Sequence, residues 1–314
     1  MKLISWIFCQ AIRGKSKRDS QQGFTLLELL VAMILASIVI GSLLTFMLSI
    51  LNTDRREQAK SASEQEIQAA LEYISRDLQQ ALYVYDSSAL TANHSTTPAT
   101  SGIADQIPPV KAAPGCNTTE HNCTPVLAFW KRKLIDDVIP TDADDCDATP
   151  PVEGCDDAFV YSLVVYYKIT DKAGTPSTWS KAARVGRFEI HDVATDFNGV
   201  ALTEPARALA SPGFAKFNPR EADTLQTSMN SWVSGLATGA QYPDVTVLVD
   251  YIEQTQADSF QASVVANSNN SLVDVQLRGN ALQRLQANAS FNPNNSAFFP
   301  REKMRIQGRG LIGQ

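Results

Sequence analysis

Residues 24–51 are apolar almost without interruption, and the one charge among them is Glu28, close to the start. An α-helix of 28 residues, rising about 1.5 Å per residue, would be about 42 Å long, enough to cross a hydrocarbon core of roughly 30 Å. Residues 52–66 (NTDRREQAKSASEQE) turn polar but hold no proline or glycine and are rich in helix formers, so the same helix is expected to continue. From Ile67 the apolar positions Ile67, Ala70, Leu71, Ile74, Leu78, Ala81, Leu82 and Tyr85 recur at steps of three and four. That spacing predicts one buried face. The pattern therefore predicts a single helix over about 24–85, with a membrane half at 24–51 and an amphipathic half at 52–85.

After residue 85 the pattern breaks. Residues 86–125 are rich in Ser, Thr, Ala and Pro without periodicity and predict a long loop. Residues 126–134 (VLAFWKRKL) read as a strand, and 159–169 (FVYSLVVYYKI) as the strongest one. Its alternate positions Phe159, Tyr161, Leu163, Val165, Tyr167 and Ile169 share a face, expected to pack on the helix stripe. Residues 179–190 return as the second arm of an antiparallel hairpin. A short helix is expected after Asn218 as cap, with Pro219, Glu221 and the apolar Leu225, Met229, Trp232 and Leu236. Residues 245–252, 272–277 and 304–307 complete the strands. The predicted fold class is α+β: a long N-terminal helix on an antiparallel sheet of four to six strands, the domain proper occupying 86–314.

Charge orients this arrangement. Residues 1–23 carry Lys2, Arg13, Lys15, Lys17 and Arg18 against Asp19, whereas the whole chain of 314 residues has a net charge of −6. Basic residues flanking a span tend to stay cytoplasmic, so the N-terminus is expected inside and the domain outside. A cleaved secretory signal has a shorter apolar region, about 7 to 15 residues. The acidic domain argues against general nucleic-acid binding, which needs a basic stripe.

Of the five cysteines, Cys9 lies in the first 23 residues, leaving Cys116, Cys123, Cys146 and Cys155. An even set outside the membrane suggests two disulfides, with three possible connectivities, of which local pairing is the simplest. A zinc site would recruit His121, but neither spacing is CxxC. The acidic segment 136–157 is either a solvated run or a calcium loop; its DADDCD string departs from an EF-hand in placing Cys146 at the third ligand position. Phe129, Trp130, Lys131, Arg132 and Lys133 form either a strand with one solvated charged face or a contact for an anionic polymer. The chain contains no phosphate-binding GxxxxGK[ST], GxSxG elbow or HExxH, and His94, His121 and His191 are scattered. No catalytic residues and no enzyme are implied.

The segment GKSKRDSQQG, ending in Gly23, followed by Phe24, Thr25, Leu26, Leu27 and Glu28, resembles the type IV prepilin signature. The resemblance covers roughly residues 13–52 and implies a leader over 1–23, cleavage after Gly23, N-methylation of Phe24 and an assembly role for Glu28. A carboxylate deep in a bilayer costs at least a few kcal/mol when unpaired. In a filament of parallel helices it can meet the new amine of a neighbouring subunit, and the unpaired state penalises wrong registers.

The size of the chain and the absence of proline from its span make it similar to minor pilins and pseudopilins, of the PilW-like or J-type kind. The segments RDLQQALYVYD and MRIQGRGLIGQ are also similar to cyanobacterial pseudopilins of hormogonium polysaccharide secretion and gliding. The partners so implied are a prepilin peptidase, other pilins or pseudopilins, an inner-membrane assembly platform and the membrane. The implied location is the inner membrane, single-pass, with the body in the periplasm or on an assembled pilus. The alternative is a membrane-anchored enzyme or binding module that uses a pilin-like anchor.

Overall fold

The computed structural model describes residues 24–97, 100–112, 115–141, 146, 154–219, 225–265 and 272–309. The chain divides into two compact units, Met1–Asp54 and Arg55–Gln314. In the first, the described backbone is helical from Leu26 and its apolar side chains are exposed. This helix, α1, is Leu26–Gln79.

In the second unit, α1 buries Ala59, Ser63, Ile67, Ala70, Leu71, Ile74, Ser75, Asp77 and Leu78, the stripe expected from its periodicity. The helix stops at Gln79 rather than reaching Tyr85. Ala81–Val84 is instead a strand, β1, with every residue buried. Ala81, Leu82 and Tyr85 fit a helical period and an extended run equally well. The Tyr-Val-Tyr sequence favours the strand, and Val84 faces α1 while Tyr83 and Tyr85 face the opposite core.

A short helix α2, Ser87–Thr91, follows, capped by Asp86, whose carboxylate accepts from the Ala89 N–H. Next come β2 (His121–Pro140), β3 (Cys155–Asp171), β4 (Ala183–His191), α3 (Leu225–Asn230), β5 (Thr246–Ile252), β6 (Phe260–Val265), β7 (Leu272–Arg278) and β8 (Arg301–Gln307). Five strands form one antiparallel sheet in the order β1-β2-β3-β4-β5, and three form another, β6-β7-β8. The expected hairpin exists as β3–β4, with Val165 opposite Phe188 and Leu163 opposite Ile190. β6 is absent from the expected strands, although Phe260, Ala262 and Val264 alternate with the exposed Gln261 and Ser263 and face the core.

The five-stranded sheet is covered on both faces, which corrects one expectation. Leu127, Phe129, Val164, Tyr166, Ala183 and Val185 share a core with the α1 stripe, and the inner face of the three-stranded sheet joins them. Leu163, Val165, Tyr167 and Ile169, the positions expected to face α1, pack instead against Ile103, Ile107, Met229 and Trp232 on the other side. The segment expected to be a loop thus supplies the cover for a second core. A sheet buried twice loses clean alternation, and β3 is accordingly buried without a break from Leu163 to Tyr167.

α3 and the turns after it carry Met229 and Trp232 into this core, with Leu225 and Leu236 partly buried beside them. Asn218, expected as its cap, lies seven residues before Leu225, and Glu221 lies outside the described residues. Trp130 stacks on Phe217 at 4.1 Å and meets Trp232 edge-on at 5.3 Å. Its indole N–H donates to the Tyr85 hydroxyl at 2.9 Å, which donates to the Met229 carbonyl at 2.7 Å.

Candidate assembly site

Thr25 opens α1. Its hydroxyl accepts from the Glu28 N–H at 3.2 Å, and its carbonyl accepts from the Leu29 N–H at 3.1 Å, so it serves as the N-cap. Glu28 therefore sits in the first helical turn, where the unsatisfied N–H groups favour a negative charge. Phe24 precedes the cap and is exposed. Gly23 lies outside the described residues.

The rest of this unit is built for an apolar surround. α1 is long and apolar enough to cross a membrane, and the apolar window of the helix is wholly unburied. Three of its hydroxyls bond within the helix: Ser37 donates to the Ile34 carbonyl at 2.8 Å, Ser42 to Val39 at 2.8 Å and Thr45 to Gly41 at 2.9 Å. Polar groups that bond their own helix enter lipid at little cost. Glu28 is the one ionisable side chain in this stretch.

The second unit contains a cluster that sequence reading missed. Asp77, in the last turn of α1, takes Lys131 Nζ of β2 at 2.7 Å, Arg187 Nε of β4 at 2.7 Å and the Tyr166 hydroxyl of β3 at 2.7 Å. Glu189 extends the network, 2.6 Å from Arg187 and 3.7 Å from Lys131, and accepts from Ser162 at 2.7 Å. Burial opposes the charge on Asp77, yet Arg187 and Lys131 outweigh it and hold the carboxyl below its ordinary value. Glu189 is lowered in the same way, burial again opposing and Arg187 and Lys131 prevailing. Burial together with Asp77 pushes the Tyr166 hydroxyl up, so it stays a neutral donor.

One signal in the sequence pointed to this cluster: Lys131 directly follows the apolar run VLAFW. That Asp77 stands in the last helical turn, against the helix dipole, became visible only with the end of α1 at Gln79.

The cysteines pair locally, Cys116 with Cys123 and Cys146 with Cys155, with Cα separations of 6.2 Å and 6.0 Å. The first ties the cover of the second core to β2; the second joins Cys146 to the start of β3. The histidines remain apart. On β3, Asp171 pairs across from His121 and Ser162 from His191, nine residues or roughly 30 Å along the strand. His121 Nδ1 lies 3.1 Å from Asp171, which Arg184 also holds at 2.8 Å. The His94 N–H donates to Asp105 at 2.7 Å.

Among the described residues no three His, Cys, Asp or Glu side chains are arranged to hold a metal. Most of the acidic segment lies outside them. At its edges, the Arg207 guanidinium donates to the Asp137 carbonyl at 2.8 Å and to the Cys146 carbonyl at 2.6 Å.

Residues 18–44 match the prokaryotic N-terminal methylation motif. The chain's N-terminal segment is type IV prepilin-like. This motif brackets the cap, Glu28 and most of the exposed apolar helix. No curated protein and no solved structure matches the chain. The prepilin-like character thus rests on the N-terminal motif and on a long apolar helix that leads into an α+β domain with two disulfides.

Proposed function

We propose that this prepilin-like protein is a structural minor pilin or pseudopilin of a type IV pilus or a pilus-like secretion system. A prepilin peptidase cuts after Gly23, the new Phe24 amine is methylated, and the processed chain assembles with other pilins on an inner-membrane platform. The observation that carries this reading is the coincidence of the methylation motif at 18–44 with an unburied apolar helix bearing one acid in its first turn. The leader is cytoplasmic and the domain periplasmic in this reading, consistent with the basic residues upstream of the span. Polysaccharide export and gliding are the finer role suggested by the resemblance of segments 76–86 and 304–314.

Glu28 contributes as a gauge of position. Alone in the bilayer it is costly; beside a neighbour's Phe24 amine it is paired, so one axial offset between subunits is favoured. The prepilin-like motif suggests a structural part rather than an enzyme.

N-terminal sequencing of the membrane-extracted protein tests the processing step. The expected first residue is Phe24, N-methylated; any other start overturns it. Glu28→Ala is expected to insert in the membrane normally and to be depleted from sheared filaments. Normal incorporation of that variant removes the pairing role.

A further inference from the structure

The end of α1 and the middle of β2 and β3 enclose an open groove of about 730 Å³, lined by Gln79, Gln80, Lys131, Arg132, Lys133, Leu134, Phe159 and Arg309. Four of these are cations, in a chain whose net charge is −6. Lys131 is turned inward to Asp77. Among the described residues, no ion pair uses the side chains of Arg132, Lys133 or Arg309. Arg132 instead lies over the Phe159 ring, 4.4 Å from its centroid.

Two large apolar side chains are left open beside these cations: Phe159 is 61% and Leu134 44% exposed. Phe159 belongs to the strongest strand pattern in the sequence, where the alternation would have buried it. Leu134 sits directly opposite it across the β2–β3 ladder. The two therefore form one apolar step flanked by positive charge. The far wall is fixed by backbone, since the Arg309 N–H donates to the Gln79 carbonyl at 2.9 Å.

We propose that this groove docks an acidic segment of a neighbouring protein subunit, with its carboxylates on Arg132, Lys133 and Arg309 and an apolar side chain against Leu134 and Phe159. Charge complementarity argues for the acids, since exposed cations of one sign steer and orient an oppositely charged partner. The apolar step argues for a protein rather than a uniformly charged polymer, because a polyanion would leave Leu134 and Phe159 without a matching surface. This inference rests on the assembly reading above, which supplies the neighbour.

The test uses the full-length chain in its native membrane, with a benzophenone photo-crosslinker at position 134. Arg132→Glu with Arg309→Glu reverses the charge while sparing Lys133, whose charge also supports Glu189 in the buried network. Arg132→Lys with Arg309→Lys retains the charge, and near-ultraviolet circular dichroism verifies the fold of each variant. The expected result is a protein adduct whose crosslinked peptide is rich in Asp and Glu, its yield about tenfold lower after charge reversal, the change that about 1.4 kcal/mol of lost binding produces, and preserved in the lysine variant.

An adduct indifferent to charge reversal overturns the proposal. So does one removed by nuclease, which would mark a nucleic acid, or by periodate, which would mark a glycan. A chain that begins at Phe24 and sediments with filaments but gives no charge-sensitive adduct refutes the groove and leaves the assembly reading standing. A chain never cut at Gly23 refutes the assembly reading itself.

Discussion

Asp77 and Arg187 join the end of the long helix to the fourth strand through two contacts, Nε to Oδ2 at 2.7 Å and a second guanidinium nitrogen to Oδ1 at 3.3 Å. The geometry is the bidentate fork that only arginine offers a carboxylate. Lys131 and Tyr166 complete the shell, so three consecutive strands of the sheet grip one helical side chain.

Removing one member of this cluster strands the others. Asp77→Ala leaves Arg187 and Lys131 buried with one carboxylate, Glu189, between them, and is expected to cost about 3–5 kcal/mol, the range for breaking a buried ion pair by deleting one partner. Arg187→Ala should cost a similar amount, and the double variant less than the sum of the two. Urea unfolding of the detergent-solubilised chain, followed by the fluorescence of the buried Trp130 and Trp232, measures all three. Additive losses would show that the pair is not coupled.

The same cluster sets an acid limit. Asp77 and Glu189 have folded values below their ordinary 3.8 and 4.5. Their contribution is thus fully present above those ordinary values and is lost as the pH falls below them, through the lower folded values. Thermal stability should be level near neutrality and drop steeply below about pH 4, where unfolded carboxyls take up protons first. In Asp77→Asn the drop should be shallower; an identical acid limb in that variant would place the sensitivity elsewhere.

Gly279 allows the two sheets to approach the helix. A Cβ built there would strike the Ser63 hydroxyl, with Ile67 and Pro300 both at 3.4 Å. Gly279→Ala is expected to destabilise by about 1–3 kcal/mol, the range for an extra methyl forced into a packed site. Ser63→Ala in the same chain should recover most of that loss, because it removes the atom in closest conflict. Failure of the second change to help would shift the cause to the backbone.

The two disulfides close short loops, with separations of seven and nine residues. Chain-entropy arithmetic for loops of that size gives about 2–3 kcal/mol each. Replacing both members of either pair with serine should lower the melting temperature, and the non-reduced peptide map should show Cys116 linked to Cys123 and Cys146 to Cys155. A cross-linked pair drawn from both sets would contradict the local pairing.

How far the sequence could be read depended on whether a residue's environment lay near it in the chain. The apolar run from Phe24, the acid at Glu28 and the stripe from Ile67 to Leu78 are local patterns, and all three were legible, whereas the Thr25 cap came from the structure. The end of α1 was not, because Ala81, Leu82 and Tyr85 satisfy both periods, and only pairing with β2 makes Ala81–Val84 a strand. The face of β3 was misassigned for a related reason. Alternation marks one buried face, whereas this strand buries two, and nothing in residues 159–169 states which of them meets the helix.

By itself the sequence determined the long apolar helix, the prepilin-like motif that spans Gly23, Phe24 and Glu28, and the α+β character of the domain. These follow from hydrophobic periodicity and from residues that act in register with their neighbours. The tertiary structure alone decided that Asp77 meets Lys131, Tyr166 and Arg187, partners that stand 54, 89 and 110 residues away. It likewise brought Arg309 beside Arg132 and Phe159. Such pairs leave no periodic trace, because burial and charge compensation are properties of surfaces that meet only after the sheet has closed over the helix.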